Sequence, residues 1–159
     1  MYRNNLIACI LTLACCIILM PSLGTAQTAV VESLMAALRA DTEALGAPKV
    51  QGGDLYFGNT KVSADAVDPV VKMLGGVASL FVKNGDQFVR VATTLKKEDG
   101  TSAVGTTLAA DSPALAKLKN GEGYYGDAIL FGKSYDAGYV PIKDASGAVI
   151  GAFFVGDPK

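Results

Sequence analysis

The chain has 159 residues with 14 Lys and Arg, 15 Asp and Glu and no His, so its formal net charge at pH 7 is −1. A chain without histidine cannot form a Ser-His-Asp or Cys-His catalytic centre or a histidine-ligated zinc site. The basic residues are scattered, with Lys96-Lys97 as the only adjacent pair, and no basic stripe for nucleic acid is present. We therefore expect neither an enzyme nor a nucleic-acid-binding protein.

The first 26 residues have the pattern of a secretory signal peptide. Arg3 supplies a positive charge, an apolar run follows from Leu6 to Met20, and Gly24-Thr25-Ala26 places small residues at a cleavage site. The run has 15 residues, whereas a membrane-spanning helix needs about 20. An uncleaved membrane anchor is the alternative. We expect removal of residues 1–26, a single periplasmic or secreted domain over residues 27–159, and no further transmembrane segment.

Nothing in the sequence predicts a metal or a cofactor. All three cysteines, Cys9, Cys15 and Cys16, lie in the leader, so the mature domain has no disulfide, thiol nucleophile or thiolate ligand. The segment from Gly121 to Gly126 spells GxGxxG, but it follows a predicted helix and leads into a predicted strand. No helix N-terminus would then face a pyrophosphate, as a dinucleotide site requires.

The mature chain begins with a predicted helix from Thr28 to Leu45. Apolar residues from Val31 to Leu45 recur at helical spacing, and Gly46 stands where a left-handed C-terminal cap is favoured. The apolar stripe of this helix packs either on the domain's own sheet or on a second copy as a homodimer.

Two shorter helices and an extended segment follow from local signals. Leu55–Phe57 is predicted to be extended. A second helix begins at Asp68-Pro69, where the Asp68 side chain can accept from free backbone N–H groups, and it ends at Gly75-Gly76. A third helix runs from Asp111-Ser112-Pro113 to Asn120-Gly121, with both start and stop signals.

The rest of the domain is predicted to be a sheet. Asn84-Gly85 favours a two-residue hairpin turn between the first two strands, and Asp144–Gly147 forms the last turn. Such short connections favour an antiparallel sheet with helices packed beside it, an α+β fold. The predicted strands cover residues 78–83, 86–95, 124–131, 135–143 and 148–155.

An ordered series of segments carries a family resemblance. It begins weakly near Leu55 and comprises Gly76–Phe81, Gly85–Thr94, Leu95–Gly100, Gly105–Leu108, Gly126–Ala128, Tyr139–Asp144 and Gly147–Gly151. The series resembles a single Cache sensor domain of the Cache 3/Cache 2 fusion type, found outside the membrane in chemoreceptors and sensor kinases. The resemblance implies a PAS-like fold in which a long N-terminal helix precedes an antiparallel sheet with short flanking helices. One face of that sheet would cup a small-molecule ligand.

The end of the sequence departs from the receptor type. Receptors of this family continue into a transmembrane helix and a signalling module, whereas this sequence ends at Gly156–Lys159, directly after the last predicted strand. We therefore expect a sensor that acts through a separate partner, such as a membrane receptor or kinase. The alternative is a periplasmic adaptor or structural module that keeps the fold without a ligand.

Arg90 is the first candidate for ligand binding. A turn at Asn84-Gly85 would place Phe81 opposite Phe88 and Ser79 opposite Arg90. Strand alternation would then put Ser79, Phe81, Phe88, Arg90, Ala92 and Thr94 on one face. A guanidinium on this mostly apolar face suits a carboxylate ligand. The alternatives are that Arg90 lies on an exposed outer face or pairs with an internal acid such as Asp127.

Four tyrosines between Tyr124 and Tyr139 supply further candidates. Tyrosine lines a pocket with its ring and offers its hydroxyl to a ligand, although cross-strand packing is the alternative for any one of them. The predicted ligand is a small carboxylate or amino acid, bound without a cofactor. Its predicted contacts are Arg90, Phe88, Thr94, Tyr124, Tyr135 and Tyr139.

Overall fold

The computed structural model describes residues 23–159, so the predicted signal peptide lies outside the described residues except for residues 23–26. Within residues 23–159, no helix combines the length and the hydropathy that a membrane span requires. Three α-helices and two antiparallel sheets make up this part of the chain, which confirms the predicted α+β class.

The helices are α1 (Leu23–Glu43), α2 (Asp68–Leu74) and α3 (Pro113–Lys119), with a short 3-10 helix at Ala64–Ala66. The small sheet has the order β1-β2-β3, formed by Pro48–Gln51, Asp54–Phe57 and Thr60–Lys61. The large sheet has the order β5-β4-β8-β7-β6, formed by Val77–Asn84 (β4), Gln87–Thr93 (β5), Tyr124–Leu130 (β6), Lys133–Lys143 (β7) and Val149–Pro158 (β8). The two short helices and the five long strands were predicted, with small differences in their bounds.

Two details of the helices differ from prediction. α1 spans Leu23–Glu43, so it begins five residues before the predicted start at Thr28 and ends two residues before the predicted end at Leu45. Asp68 does not cap α2: it is the first helical residue, Val67 is the N-cap, and no side chain of the cap accepts a backbone N–H there. Pro69 does occupy the first turn, where its missing N–H removes no helical hydrogen bond.

Helix α1 covers one face of the large sheet. Val31, Leu34, Met35 and Leu38 recur at helical spacing and are all at most 3 % exposed. They form one core cluster with the strand residues Leu80, Val82, Phe153 and Val155. The apolar stripe of α1 therefore packs on the chain's own sheet over this length, whereas Leu45 beyond it is 48 % exposed.

The opposite face of the large sheet is covered by the chain between β5 and β6. That segment contributes Leu95, Ala103, Leu108 and Leu118 to a second core cluster, the last of these from α3. The strand residues in this cluster include Phe81, Phe88, Tyr139 and Phe154. We call the two sides of the large sheet the α1 face and the cavity face.

The register of the β4–β5 hairpin differs from the prediction. Asn84 pairs with Gln87, so Phe88 lies opposite Lys83 and Arg90 lies opposite Phe81. The turn residues are Gly85-Asp86, not Asn84-Gly85. Gly85 has φ +57 and Asp86 is not left-handed, as in a type II′ turn with glycine at its first central position. The predicted pairs Phe81–Phe88 and Ser79–Arg90 are therefore wrong.

A bulge beyond Arg90 also changes which residues share its face. On β4, Phe81 pairs with Arg90, but the adjacent Leu80 pairs with Ala92. Val91 on β5 therefore has no partner on β4 and forms a β-bulge. Ala92 thus packs in the cluster of the α1 face. Thr93 lies opposite Ser79, and their hydroxyls are 2.7 Å apart. The prediction that Ala92 shares the face of Arg90 is wrong.

Candidate functional site

A cavity of about 410 Å³ opens on the cavity face of the large sheet. One side is formed by residues 107–113, which lead into α3, and the other by Tyr124 and residues 127–131 of the β6–β7 hairpin. Arg90 and Tyr139 are the buried polar side chains that line it. We call it the Arg90 cavity.

The Arg90 guanidinium is buried without a counter-ion. The residue is 2 % exposed, and no carboxylate within residues 23–159 forms an ion pair with it. Its Nη1 donates to Thr106 Oγ1, while its buried Nε has no hydrogen-bond partner among these residues. Burial lowers the pKa of Arg90 to about 10. Arg90 therefore remains a cation at neutral pH and keeps one buried N–H donor without a partner among these residues.

Two aromatic rings lie beside this guanidinium. Arg90 Cζ is 4.7 Å from the ring centroid of Phe81 and 5.7 Å from that of Phe131. Such contacts stabilise a cation through the negative faces of the rings. They offset part of the desolvation cost but satisfy none of the N–H donors.

The segment before the cavity holds Arg90 in place through its backbone. Arg90 N–H donates to Thr106 O at 2.8 Å, and Gly105 N–H donates to Arg90 O at 2.8 Å. Thr106 Oγ1, which accepts from the guanidinium, also donates to Ala103 O at 2.6 Å. Because both backbone and side chain are fixed to one segment, the guanidinium is oriented before any ligand arrives.

Tyr139 adds a second donor. It is paired with Tyr124 across β7 and β6, and its ring centroid lies 4.8 Å from that of Phe154. Burial raises the pKa of Tyr139 to about 12, so its hydroxyl keeps its proton at neutral pH. That hydroxyl has no hydrogen bond within the described part of the chain, whereas the Tyr124 hydroxyl donates to Asp127 O at 3.3 Å.

The rim of the cavity is acidic. Asp111 and Asp127 line it and are both exposed. Asp127 pairs with Lys159 Nζ at 2.5 Å and not with Arg90, and this ammonium lowers the pKa of Asp127. Neither alternative for Arg90 therefore occurs: the side chain is not exposed, and Asp127 is not its partner. Within residues 23–159, no cluster of His, Cys, Asp and Glu is arranged to hold a metal ion.

The structure brings together three of the six predicted contact residues: Arg90, Tyr124 and Tyr139 all line the Arg90 cavity. Phe88 is fully buried in the core of the cavity face and does not line the cavity. Thr94 and Tyr135 line a different cavity, of about 390 Å³, on the other side of the β6–β7 turn. Phe88, Thr94 and Tyr135 therefore do not line the Arg90 cavity, and their roles as ligand contacts stay predictions.

Sequence reasoning missed three residues that surround the guanidinium: Phe81, Thr106 and Phe131. Phe81 was predicted on the face of Arg90 but opposite Phe88, whereas in the structure it is the cross-strand partner of Arg90. Thr106 lies 16 residues from Arg90, so no short-range pattern marks their contact. Phe131 precedes Gly132 at a turn, where an aromatic side chain gives no periodic signal.

The family model described as the Cache 3/Cache 2 fusion domain matches residues 23–159. The chain belongs to this family. Cache domains are sensory modules that bind small molecules rather than enzymes, and they typically lie outside the cytoplasm in receptors or kinases.

Solved structures with some similarity to this Cache domain share little sequence with it. A GAF domain of the A. aeolicus protein nlh2, crystallised in an inactive state, is 11 % identical with a TM-score of 0.44 over 87 % of this chain and 83 % of its own. An IclR-family transcriptional regulator from Rhodococcus sp. is 19 % identical with a TM-score of 0.36, over 82 % of this chain and 70 % of its own. Both TM-scores are too low to carry an argument about function. Curated proteins yield no significant match.

Proposed function

We propose that this Cache domain senses a small carboxylate, such as a short organic acid or an amino acid, in the Arg90 cavity. The bound or empty state would be read by a separate membrane receptor or kinase. The observation that carries the proposal is the buried guanidinium of Arg90, which lines a cavity and has no carboxylate partner among the described residues.

The chemistry of the site suits a carboxylate. Removing a guanidinium from water costs several kcal/mol, and a counter-ion of good geometry offsets that cost. The fork of donors on arginine matches the two oxygens of a carboxylate. In this site Nε has no partner among the described residues, and the Tyr139 hydroxyl is a second donor lining the same cavity. A carboxylate in the cavity would supply the counter-ion that the guanidinium lacks and could accept from the Tyr139 hydroxyl.

The acidic rim narrows the class of carboxylate. A second negative charge on the ligand would meet Asp111, since the charge of Asp127 is offset by its ion pair with Lys159, and this repulsion at an exposed position should be strongest at low salt. An ammonium group would be attracted there. We therefore expect short monocarboxylates and zwitterionic amino acids to bind better than dicarboxylates of similar size.

Thermal-shift and calorimetric titrations with propionate, alanine and succinate test the proposal. A ligand that binds only the native state at a hundred times its Kd stabilises that state by about 2.7 kcal/mol, so the melting temperature should rise with propionate or alanine concentration. Arg90→Met should abolish the rise. Lys49→Met, which removes an exposed cation from β1, should keep it.

Sodium chloride at matched ionic strength controls for general salt effects. If propionate, alanine and a broad library of small acids all leave the wild-type melting curve unchanged, the proposal is wrong. The alternative of an adaptor that keeps the fold without a ligand would then be preferred.

We also propose that the domain works after export and removal of residues 1–26. The apolar run and small-residue site in the sequence support this, and the extracytoplasmic setting typical of the family is compatible with it. Intact-mass spectrometry of the protein from the periplasmic fraction should give a chain beginning at Gln27. A protein that retains the leader would contradict the proposal.

A further inference from the structure

The turn that borders the Arg90 cavity has an unusual residue in it. Strand β6 ends at Leu130, which pairs with Lys133, the first residue of β7. The two strands are joined by Phe131, with φ +49, and Gly132, with φ +76. A type I′ turn requires positive φ at both central residues and favours Asn-Gly. Phe131 is the only non-glycine residue with positive φ among residues 23–159, and a bulky side chain in that region is disfavoured. Contacts outside the turn must therefore hold it.

Those contacts place Phe131 between two cavities. Its ring centroid lies 5.7 Å from Arg90 Cζ, and the residue lines the Arg90 cavity. It also lines the second cavity, of about 390 Å³. Leu130 and Phe131 are the lining residues that the two cavities share. Leu130 and Phe131 therefore form part of the boundary between the two cavities.

The second cavity has the opposite charge at its edge. Lys96, Lys97 and Lys133 line it with a single acid, Glu98. None of the three lysines forms an ion pair within the part of the chain that the structure describes. We call it the lysine cavity. Its unpaired cations attract anions, whereas Asp111, the unpaired acid among the described residues that line the Arg90 cavity, repels a second negative charge.

We propose that Phe131 determines ligand specificity: its ring divides one long anion-binding cleft and restricts the ligand to a short carboxylate at Arg90. This inference rests on the proposed function of the Arg90 cavity. With the ring in place, a second carboxylate on the ligand meets either the apolar ring or the acidic rim. Without the ring, the Arg90 cavity opens into the lysine cavity, and a longer polycarboxylate reaches cations at both ends.

Strain at Phe131 supports a role beyond closing the hairpin. Asparagine at this position would form the same turn with less strain, so the turn itself gains nothing from phenylalanine. Unfavourable backbone geometry that is maintained by surrounding contacts is a feature of ligand-binding sites. Here the maintaining contacts are the guanidinium and the core cluster of the cavity face, against which Phe131 packs.

Two substitutions separate the ring from the turn. Phe131→Asn removes the ring and creates the favoured Asn-Gly turn, so we expect it to fold; Phe131→Gly is the second variant if it does not. Phe131→Tyr keeps the ring and is the matched control. Isothermal titrations with propionate and citrate in metal-free buffer give the ratio of the two affinities for each protein.

We expect wild type and Phe131→Tyr to bind propionate at least tenfold more tightly than citrate. In Phe131→Asn, citrate affinity should rise at least tenfold while propionate affinity falls a fewfold, because the ring no longer excludes water from the guanidinium. The citrate gain should disappear when Lys96→Met and Lys133→Met are added to Phe131→Asn. It should survive the addition of Lys49→Met.

Two results would overturn the inference. One is an unchanged affinity ratio in Phe131→Asn and Phe131→Gly while propionate binding still depends on Arg90; the proposed function would then stand without this specificity role. The other is a citrate gain that persists after both lysines are replaced. If no variant and not even wild type binds either acid, the proposed function itself is wrong and the inference falls with it.

Discussion

The two faces of the large sheet use the same strands for different purposes. On the α1 face, the side chains of Leu34 and Leu38 pack on Leu80, Val82 and Phe153 in an apolar cluster. On the cavity face, the same strands place the charged Arg90 and the hydroxyl of Tyr139 beside a cavity. Because successive strand residues point to opposite sides, a stable core and a polar site can be built on one sheet with little interference.

The buried polar residues sharpen this difference. Thr42, on α1, donates to Leu38 O at 2.8 Å and is satisfied within its own helix. Arg90, on the cavity face, has a buried Nε without a partner among residues 23–159. Buried donors in native proteins are rarely left unpaired. The face that leaves one unpaired is therefore the face where we expect a ligand, and substitutions on the two faces should separate stability from binding.

The largest expected effect is on the α1 face. Leu38 is fully buried, so Leu38→Ala should lower the free energy of unfolding by about 2–5 kcal/mol, as other leucine truncations in cores do. Leu45→Ala makes the same chemical change at a residue that is 48 % exposed and should cost less than about 1 kcal/mol. Urea denaturation measures both.

The affinity of folded Leu38→Ala for propionate should equal that of wild type. A tenfold loss of affinity without partial unfolding would break the division between the two faces, since it would show that α1 packing shapes the Arg90 cavity.

Arg90→Met should have the opposite effect to Leu38→Ala: it should lower the affinity for propionate without lowering the free energy of unfolding. The substitution replaces a buried cation that has no counter-ion by an apolar side chain of similar length, a change that can stabilise a protein by about 1–4 kcal/mol. Propionate affinity should fall by about tenfold to a hundredfold, since hydrogen bonds to charged groups contribute about 1.5–3 kcal/mol. Calorimetry and urea denaturation provide the two readouts.

Arg90→Lys is the control that keeps the positive charge but lacks the planar N–H donors of the guanidinium. We expect its affinity for propionate to lie between those of wild type and Arg90→Met. An Arg90→Met protein that is less stable than wild type and binds propionate equally well would assign the guanidinium a structural role on this face.

Alkaline pH should change the stability difference between wild type and Arg90→Met. Burial lowers the pKa of Arg90 to about 10 in the native protein, below its value in the unfolded chain. Below pH 10 the residue is charged in both states, and the burial cost is fully present. Above about pH 10 the unfolded state holds the proton longer, so the free energy of unfolding of wild type rises relative to Arg90→Met.

Tyr139 acts with the opposite sign, because burial raises its pKa to about 12. The native state then keeps a proton that the unfolded state loses, and stability falls as the pH rises toward 12. Comparing wild type, Arg90→Met and Tyr139→Phe by urea denaturation between about pH 8 and 11 separates the two contributions. If the free energies of unfolding of wild type and Arg90→Met differ by a constant amount over this pH range, Arg90 is not desolvated.

Local signals were enough to predict most elements of both faces. Pro69 and Pro113 each lie in the first turn of a short helix, and the alternation of strand residues predicted the five strands of the large sheet. β1 and β3 were missed because their residues are mostly exposed and show no alternation. Their pairing with Asp54–Phe57 runs through two-residue turns at Gly52-Gly53 and Gly58-Asn59, so the glycine pair was a short-range hairpin signal that the prediction did not use.

The site was harder to predict than the fold because it depends on register. Placing the turn at Gly85-Asp86 instead of Asn84-Gly85 moves the partner of Arg90 from Ser79 to Phe81. The bulge at Val91 then removes Ala92 from the cavity face, and no glycine marks it. Either dipeptide is compatible with a hairpin turn, so the choice depends on cross-strand packing that a sequence alone does not reveal.

The smallest effect that we predict is on ligand affinity, and it distinguishes the two cavities of the cavity face. Tyr139→Phe removes a hydroxyl that has no hydrogen bond within residues 23–159 and keeps the ring that packs on Phe154. Stability should change little, while propionate affinity should fall about fivefold, the equivalent of one neutral hydrogen bond of about 1 kcal/mol.

Tyr135→Phe is the matched control, since Tyr135 lies on the same strand and face but lines the lysine cavity. It should leave propionate affinity unchanged. Equal losses in both variants would mean that the tyrosines act through the packing of the whole face. A loss confined to Tyr139→Phe would locate the carboxylate on the Arg90 side of Phe131, where the hydroxyl and the guanidinium are both free to donate.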